Sequence, residues 1–407
     1  MPKVIPFKAV LPNKAFTSLV VSRSYETYKK KELKAKLAYN PYSFLHILTP
    51  GFKFQHEISG EQRFNMVKNR YLEFHERDIY EYSKKECYYI YQIETHHDTY
   101  IGIIAAASVD DYKKDLIKKH EDTIQKREEV FKEYLKVVGF NTEPVLLTYP
   151  DNDVINEIIA NITASETDYQ FATVEQQLHS LWRIEDKKQI ELIQSHFERM
   201  NAVYIADGHH RSASSYLLSE EMYNATGNTN YNYFLSFLIP ESNLKISEYN
   251  RLVKGLNGLS KEEFLFRLDE TFRIENRGLE LYKPSKKYHF SMYLDGEFYS
   301  LYLRKSKYNF PDSLSKLDTQ ILFKTILEPI LGIYDLRNDS RISYGCGKDN
   351  IIKMKKQIDD KEFDVGFGML PITVEELKHI ADAGLQMPPK STYIEPKLVS
   401  GLTIYEF

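Results

Sequence analysis

Apolar positions along this chain follow two periods in turn, one of two residues and one of three to four, which predicts a mixed α/β protein. Residues 86–109 alternate as two β-branched and aromatic strands around Thr95-His96-His97-Asp98-Thr99, a polar cluster that reads as a hairpin tip. A Lys-rich helix is expected at 29–36, a strand-like apolar run at 44–48 after Asn40-Pro41, and a helix at 60–76. Residues 110–138 read as one charged helical segment, and 144–149 as a buried strand ended by Pro150-Asp151-Asn152. Ile190, Ile193, Phe197 and Met200 recur at helical spacing and give 188–200 one apolar face. A strand at 202–206 then runs into Asp207-Gly208-His209-His210-Arg211, with a small-residue helix expected from Ser212 and a further strand at 233–239. In the last third, Asp295-Gly296 marks a type I′ hairpin within 288–304, because both turn positions require positive φ. Residues 317–331 read as helix and 363–370 as strand, and Thr373-Val374-Glu375-Glu376 as a capping box opening a helix that Gly384 closes.

Composition narrows the class. The 407 residues, at roughly 150 per domain, suggest two or three domains; the expected division is 1–150, 151–250 and 251–407, since no repeat or linker cuts the chain. A chain 42% hydrophobic and 28% charged, with 17 Gly and 15 Pro, is neither collagen-like nor disordered. Lys and Arg total 54 against 58 Asp and Glu, a net charge of -4, so no global basic field holds a nucleic-acid backbone. Cys87 and Cys346 lack a CxxC partner and read as reduced structural thiols. Pro2 and Pro6 interrupt any apolar leader, and the longest apolar stretch, 101–109, is far short of a membrane span, so a cytoplasmic protein with no membrane partner is expected.

The chemistry concentrates at Asp207-Gly208-His209-His210-Arg211. A strand that feeds a helix through one glycine leaves the first helix amides unpaired, and these donors together with the dipole favour phosphate. Arg211 adds a cation, and two histidines between an acid and an arginine are costly to explain as packing. Arg211 and the amides of Gly208, His210 and Ser212 are therefore candidates for phosphate oxygens. Asp207 is a candidate to hold Mg²⁺ or orient a histidine, and His209 or His210 to bond a γ-phosphoryl oxygen or carry its proton. Glu121 and Glu26 are candidate bases, and Lys390, Ser391 and Thr392 offer a cation and two hydroxyls to phosphates or to an amino-acid carboxylate. Other segments carry weaker signals: His96-His97-Asp98 has metal-ligand types but lies at a hairpin tip, and Gly345-Cys346-Gly347-Lys348 lacks phosphate-loop spacing. His179 and Trp182, one helical turn apart, are core residues or line a pocket.

Gly208-His209-His210-Arg211 resembles the Gly-x-x-Arg nucleotide-binding turn of the ParB/sulfiredoxin-like fold. Met387-Pro388-Pro389-Lys390-Ser391-Thr392-Tyr393-Ile394-Glu395-Pro396-Lys397 followed by Ser400-Gly401-Leu402 resembles the terminal signature of the DUF1015 family. Tyr249-Asn250-Arg251-Leu252-Val253, 327–333 and His120-Glu121-x-Thr123 are similar to that family's intermediate blocks, so the resemblance covers nearly the whole chain. One segment departs: Arg23-Ser24-Tyr25-Glu26-Thr27 stands where the family usually has Pro-Tyr-Asp-Val. The resemblance implies an α/β (α+β) multidomain protein with a ParB/sulfiredoxin-like nucleotide-binding middle domain. Free serine kinases of the same superfamily carry a similar Asp-Gly-His-His-Arg block. By that analogy the chain is expected to be a nucleotide-dependent phosphotransferase using ATP or ADP with Mg²⁺, its substrate free L-serine or O-phosphoserine. The alternatives are a metal-dependent phosphate-ester hydrolase, with Asp207, His209 and His210 as ligands, and a non-catalytic nucleotide sensor.

Overall fold

The computed structural model describes residues 1–54, 58–347 and 350–407 and, for Glu26 and Asn224, the backbone alone. The described chain is mixed α/β and divides into two units: residues 1–119, 123–244 and 396–407 form the first, and 120–122 with 245–395 the second.

The expected hairpin at 86–109 forms the middle of the first unit's sheet. Its strands, among the described residues, are β1 (Val4–Ile5), β2 (Tyr88–Glu94), β3 (Thr99–Ser108), β4 (Ile117–Lys118), β5 (Val145–Tyr149), β6 (Tyr169–Ala172), β7 (Leu178–Ile184), β8 (Val203–Asp207) and β9 (Tyr233–Pro240). They hydrogen-bond in the order β6-β7-β2-β3-β9-β5-β8-β4, with β1 added on β3. β9 runs parallel to β5, and β8 antiparallel to it. Alternation along the strands sends Ile90, Ile103, Leu147 and Ile205 into one core, covered by the helices 153–163 and 187–198 through Ile155, Ile159, Ile193 and Phe197. A second cluster joins Val67, Tyr71 and Phe74 of α1 (Gly60–Glu76) to Phe44, Ile47, Val138 and Phe140. The next helix needed below is α2 (Gln125–Val138), closed by Gly139 at φ 85.

The second unit holds a fully antiparallel sheet: β10 (Asn250–Val253), β11 (Phe272–Gly278), β12 (His289–Leu294), β13 (Glu297–Leu303), β14 (Ile342–Gly345) and β15 (Val365–Gly368), in the order β11-β13-β12-β15-β10-β14. Asp295 and Gly296 have φ of 50° and 82°, the type I′ pair read from the sequence. The Thr373 side chain and Glu376 form the expected capping box, and Gly384, at φ 63, follows the helix 374–382.

Several expectations are corrected. The apolar run 44–48 is helical at Leu45–Leu48: Phe44, Leu45 and Ile47 are all buried, and a five-residue apolar run does not itself select a period. Residues 110–138 are not one helix. A short helix at Val109–Lys113 and β4 precede α2, and residues 120–122 leave for the second unit. The boundary expected at 150 does not separate compact units, because β2 and β3 before it and β7, β8 and β9 after it share one sheet. The boundary expected at 250 falls at 244/245, and 396–407 returns to the first unit. His179 and Trp182 stand on β7, so alternation sends them to opposite faces. Trp182 packs in the core, while His179 Nδ1 lies 2.6 Å from the Tyr91 hydroxyl and burial pushes its imidazole down to about 4. Cys87 is buried and Cys346 half-buried, and among the described residues no disulfide forms. The Lys348 end of the 345–348 segment lies outside the described residues.

Backbones approach closely at Gly102 on β3, where an added Cβ would lie 2.2 Å from the Leu238 carbonyl oxygen. Gly102→Ala is expected to lower stability by at least about 1–3 kcal/mol, the cost of overpacking against groups unable to move aside. Urea unfolding followed by circular dichroism measures it; an unchanged midpoint would show that the strand yields.

Candidate functional site

The site is built where β8 ends. Pairing between β8 and β5 slips between Ile205 and Asp207, which takes Asp207 out of the regular ladder. Gly208 follows at φ 102, ψ 29, a left-handed conformation that a side chain makes costly. Glycine serves a second purpose here, because a Cβ would lie 2.9 Å from Arg211 Nε. The next helix, α3 (His209–Thr226), begins three residues earlier than the sequence suggested. The Gly208 carbonyl accepts from the N–H of Arg211 at 2.9 Å and of Ser212 at 3.1 Å, so the helical ladder is set at the glycine and both histidines lie in the first turn. No side chain caps this N-terminus.

One guanidinium ties the turn together. Arg211 donates from Nη2 to Asp207 Oδ2 at 2.8 Å and from Nη1 to the Pro144 carbonyl at 2.6 Å, beside the start of β5. Lys397 Nζ stands 3.5 Å from Asp207 Oδ1. Burial works to raise the Asp207 carboxyl, but Arg211, then Lys397 and His209, overcome it and hold the group below the usual carboxylate range. His209 is buried, and burial pushes its imidazole down to about 4, so it is neutral at pH 7. His210 is half-buried. Ser212 is fully buried, its hydroxyl 3.2 Å from both the Gly208 and His209 carbonyls, so that hydroxyl serves the helix rather than a ligand. Ala213, Ser214 and Ser215 are also buried, and Ser214 Oγ donates to the Glu128 carbonyl of α2 at 3.0 Å. Small side chains are what allow these helices to approach.

Arg211 and Ser215, one turn apart on α3, line a cavity of about 330 Å³. Arg63 and Phe64 of α1, Phe131 and Tyr134 of α2, and Glu143 complete much of its wall, and Ser24 and Tyr25 reach it from the segment that departs from the family pattern. Arg63, Tyr134 and Glu143 were not singled out from the sequence. Each is an isolated polar residue on an otherwise ordinary element, and no spacing rule joins positions 63, 134 and 143. The side chain of Glu26 lies outside what the structure describes.

The remaining candidates belong to the second unit. Glu121 is half-buried beside a fully buried His120, whose carbonyl accepts from the Met387 N–H at 2.9 Å. Lys390 is exposed and has φ 57, an uncommon value for a residue with a side chain. Ser391 and Thr392 are buried, and Ser391 Oγ donates to the Pro388 carbonyl at 2.6 Å and lies 3.3 Å from Thr319 Oγ1. The Ser391 hydroxyl thus closes its own turn instead of standing ready for phosphate. Arg251, fully buried, donates to the carbonyls of Tyr249 at 2.5 Å and Lys390 at 3.1 Å. Burial lowers this guanidinium to about 10, which leaves it charged at neutral pH. Among the described residues no group of three His, Cys, Asp or Glu side chains is gathered as a metal site, and His96 Nε2 lies 2.8 Å from Gln176 Oε1. No described helix is long and apolar enough to cross a membrane.

Residues 4–320 match the model of the DUF1015 family, described as a protein of unknown function. A comparison with curated proteins found no match. Solved structures similar to this chain include a free serine kinase in complex with AMP, at 14% identity and TM-score 0.34, covering 72% of this chain and 88% of that one. They also include a conserved hypothetical protein from Pyrococcus furiosus, at 15% identity and TM-score 0.34, covering 72% and 90%. A third is SbnI with a C-terminal truncation from Staphylococcus aureus, at 13% identity and TM-score 0.37, covering 72% and 82%. Likenesses this loose transfer no ligand.

Two outcomes follow from the turn. Gly208→Ala is expected to cost about 1–2 kcal/mol from the left-handed backbone and to push Arg211 off Asp207; urea unfolding reads the first effect. His209 has a folded-state pKa below its ordinary 6.5, so the unfolded chain binds the extra proton between pH 6.5 and about 4. Its stabilisation is complete above pH 6.5 and is lost as pH falls through that window, by about 3 kcal/mol in all. His209→Gln should therefore flatten the dependence of unfolding free energy on pH by one proton's worth; an unchanged slope would mean that His209 titrates normally.

Proposed function

The chain belongs to the DUF1015 family, and from that premise we propose that it is a nucleotide-dependent phosphotransferase acting on a small hydroxy amino acid, with free L-serine or O-phosphoserine as the first substrates to test. The observation that carries the reading is the Asp207–Arg211 pair, bridged at 2.8 Å across a left-handed glycine, at an uncapped helix N-terminus. Phosphoryl transfer demands positioning and charge neutralisation more than covalent chemistry. Arg211, Lys397 and the leading amides of α3 bring positive charge to a fixed carboxylate. The strand-to-helix turn supports a ParB/sulfiredoxin-like assignment for this part of the first unit, and ATP or ADP is the proposed donor. A cytoplasmic location belongs to the same reading.

Mg²⁺ usually takes one or two carboxylates and completes its shell with water and phosphate oxygens. Asp207 fits that requirement through Oδ1, whose cationic neighbour Lys397 is the looser of its two at 3.5 Å. A bound Mg²⁺ would neutralise phosphate charge there. His209 is buried and neutral, and His210, half-buried, is the imidazole we propose to exchange a proton with a phosphoryl oxygen. Glu121, expected from the sequence as a base, belongs to the second unit, and its role there is a proposal of its own. Lys390 is the cation proposed for phosphate or carboxylate, on a turn that Arg251 and Ser391 hold.

Arg211→Ala is expected to abolish nucleotide binding, since it removes the guanidinium and releases Asp207. Asp207→Asn should leave binding largely intact and lower turnover by a factor of ~100 to 1,000. Calorimetry with a nucleotide panel and Mg²⁺, and phosphorus NMR with an amino-acid panel, measure both. Loss of a bound metal in Asp207→Asn, with phosphate-ester cleavage that needs no nucleotide, would replace this reading with a hydrolase. Nucleotide binding by the wild type with no turnover on any acceptor would replace it with a sensor.

A further inference from the structure

The cavity beside Arg211 is lined by both charged and apolar side chains. Arg63 Nη2 donates to the Leu48 carbonyl at 3.0 Å, which fixes the guanidinium in the wall. Glu143 Oε1 accepts from Ser400 Oγ at 2.7 Å, which fixes the carboxylate. The residue after Glu143, Pro144, offers the carbonyl that holds Arg211, so both arginines and the glutamate line one cavity. Burial keeps the Tyr134 phenol protonated, and Arg63 and Glu143 act on its acidity in opposite directions, which places both charges within reach of that hydroxyl. Among the described residues, neither Arg63 nor Glu143 forms an ion pair. A guanidinium and a carboxylate that share a cavity and leave each other unpaired are complementary to a ligand bearing both an anion and a cation. Apolar side chains, among them Leu48, Phe64, Phe131 and Phe140, make up much of the remaining wall, beside a few small polar ones such as Asn141 and Thr142.

We propose that this cavity binds a free α-amino acid, its carboxylate on Arg63 and its ammonium on Glu143, whose side chain is larger and more apolar than that of serine. The aromatic walls carry the second half of the inference: a hydroxymethyl group would leave them wet, whereas a ring or branched chain covers them. Tyr25, exposed at 38%, and Val130, at 54%, are lining residues that solvent reaches, which marks the entrance. Calling this ligand the acceptor rests on the phosphotransfer reading above and moves its substrate from serine to a larger hydroxy amino acid. In that case the bond between the terminal phosphorus and its bridging oxygen breaks, and the nucleotide leaves with that oxygen and its electron pair. A new phosphorus–oxygen bond forms to the amino acid's hydroxyl oxygen, and the hydroxyl proton passes to a base.

The test is calorimetry on the full chain without nucleotide, using L-serine, L-threonine, L-homoserine, L-tyrosine and L-threo-phenylserine. Tyrosine or phenylserine should bind at least about tenfold more tightly than serine, a difference of ~1.4 kcal/mol. The methyl ester and the N-acetyl form of the best ligand should each lose about tenfold or more, and so should Arg63→Met and Glu143→Gln tested with the unmodified ligand. The blocked ligands use the wild-type protein, so the outcome holds even if a variant folds poorly. Serine binding as well as the larger amino acids, or blocked forms binding as well as free ones, overturns the proposal. Amino-acid binding with no nucleotide binding would remove the phosphotransfer reading alone, and nucleotide turnover with no amino-acid binding would remove this inference alone.

Discussion

The contact between Arg211 and Asp207 organises the first unit's site, because its two partners lie on opposite sides of a residue without a side chain. With no Cβ at 208 the guanidinium packs closely over the turn, reaches the carboxylate and extends its other nitrogen to the Pro144 carbonyl. Lys397, from the returning C-terminal segment, meets the same carboxylate. Three stretches far apart in sequence, at 144, 207–211 and 397, thus meet through one carboxylate–guanidinium pair. Partly exposed ion pairs contribute little stability, so their consequence here is geometric: they fix where positive charge stands relative to the helix end.

The phase of α3 distributes the remaining roles. Because the helix starts at His209, residues 209, 212 and 213 turn inward, and 211 and 215 share the face that lines the cavity. A polar run that looks uniformly reactive in one dimension separates into a buried neutral imidazole, a buried hydroxyl bonded within its own helix, and a guanidinium at a cavity wall. In the second unit the same sorting occurs around Arg251. Its burial among carbonyls, together with the internal hydrogen bond of Ser391, leaves Lys390 as the exposed cation of the Pro-Pro-Lys-Ser-Thr turn.

Much of this was legible in the residues themselves. The hairpin at 86–109, the helix at 60–76, the type I′ turn at Asp295-Gly296 and the capping box at Thr373 depend on neighbours within a few positions, and alternation, spacing or turn chemistry reports them directly. The strand-glycine-helix grammar at 203–211 is equally local, so the Asp207 turn could be singled out with its glycine and its arginine. The short, mostly apolar run at 44–48 fits either period within its five residues, and tertiary packing around Phe44 decides for the helix.

What the sequence determined by itself is therefore the inventory of local elements and the chemical types gathered at 207–211. Tertiary structure alone decided the joining of strands on both sides of residue 150 into one sheet, the return of 396–407 to the first unit, and the cavity that sets Arg63, Tyr134 and Glu143 beside Arg211. It also decided which of two adjacent histidines is buried. Burial, desolvation and the meeting of charges are properties of distance in space, and a one-dimensional pattern carries distance only for residues that are already neighbours along the chain.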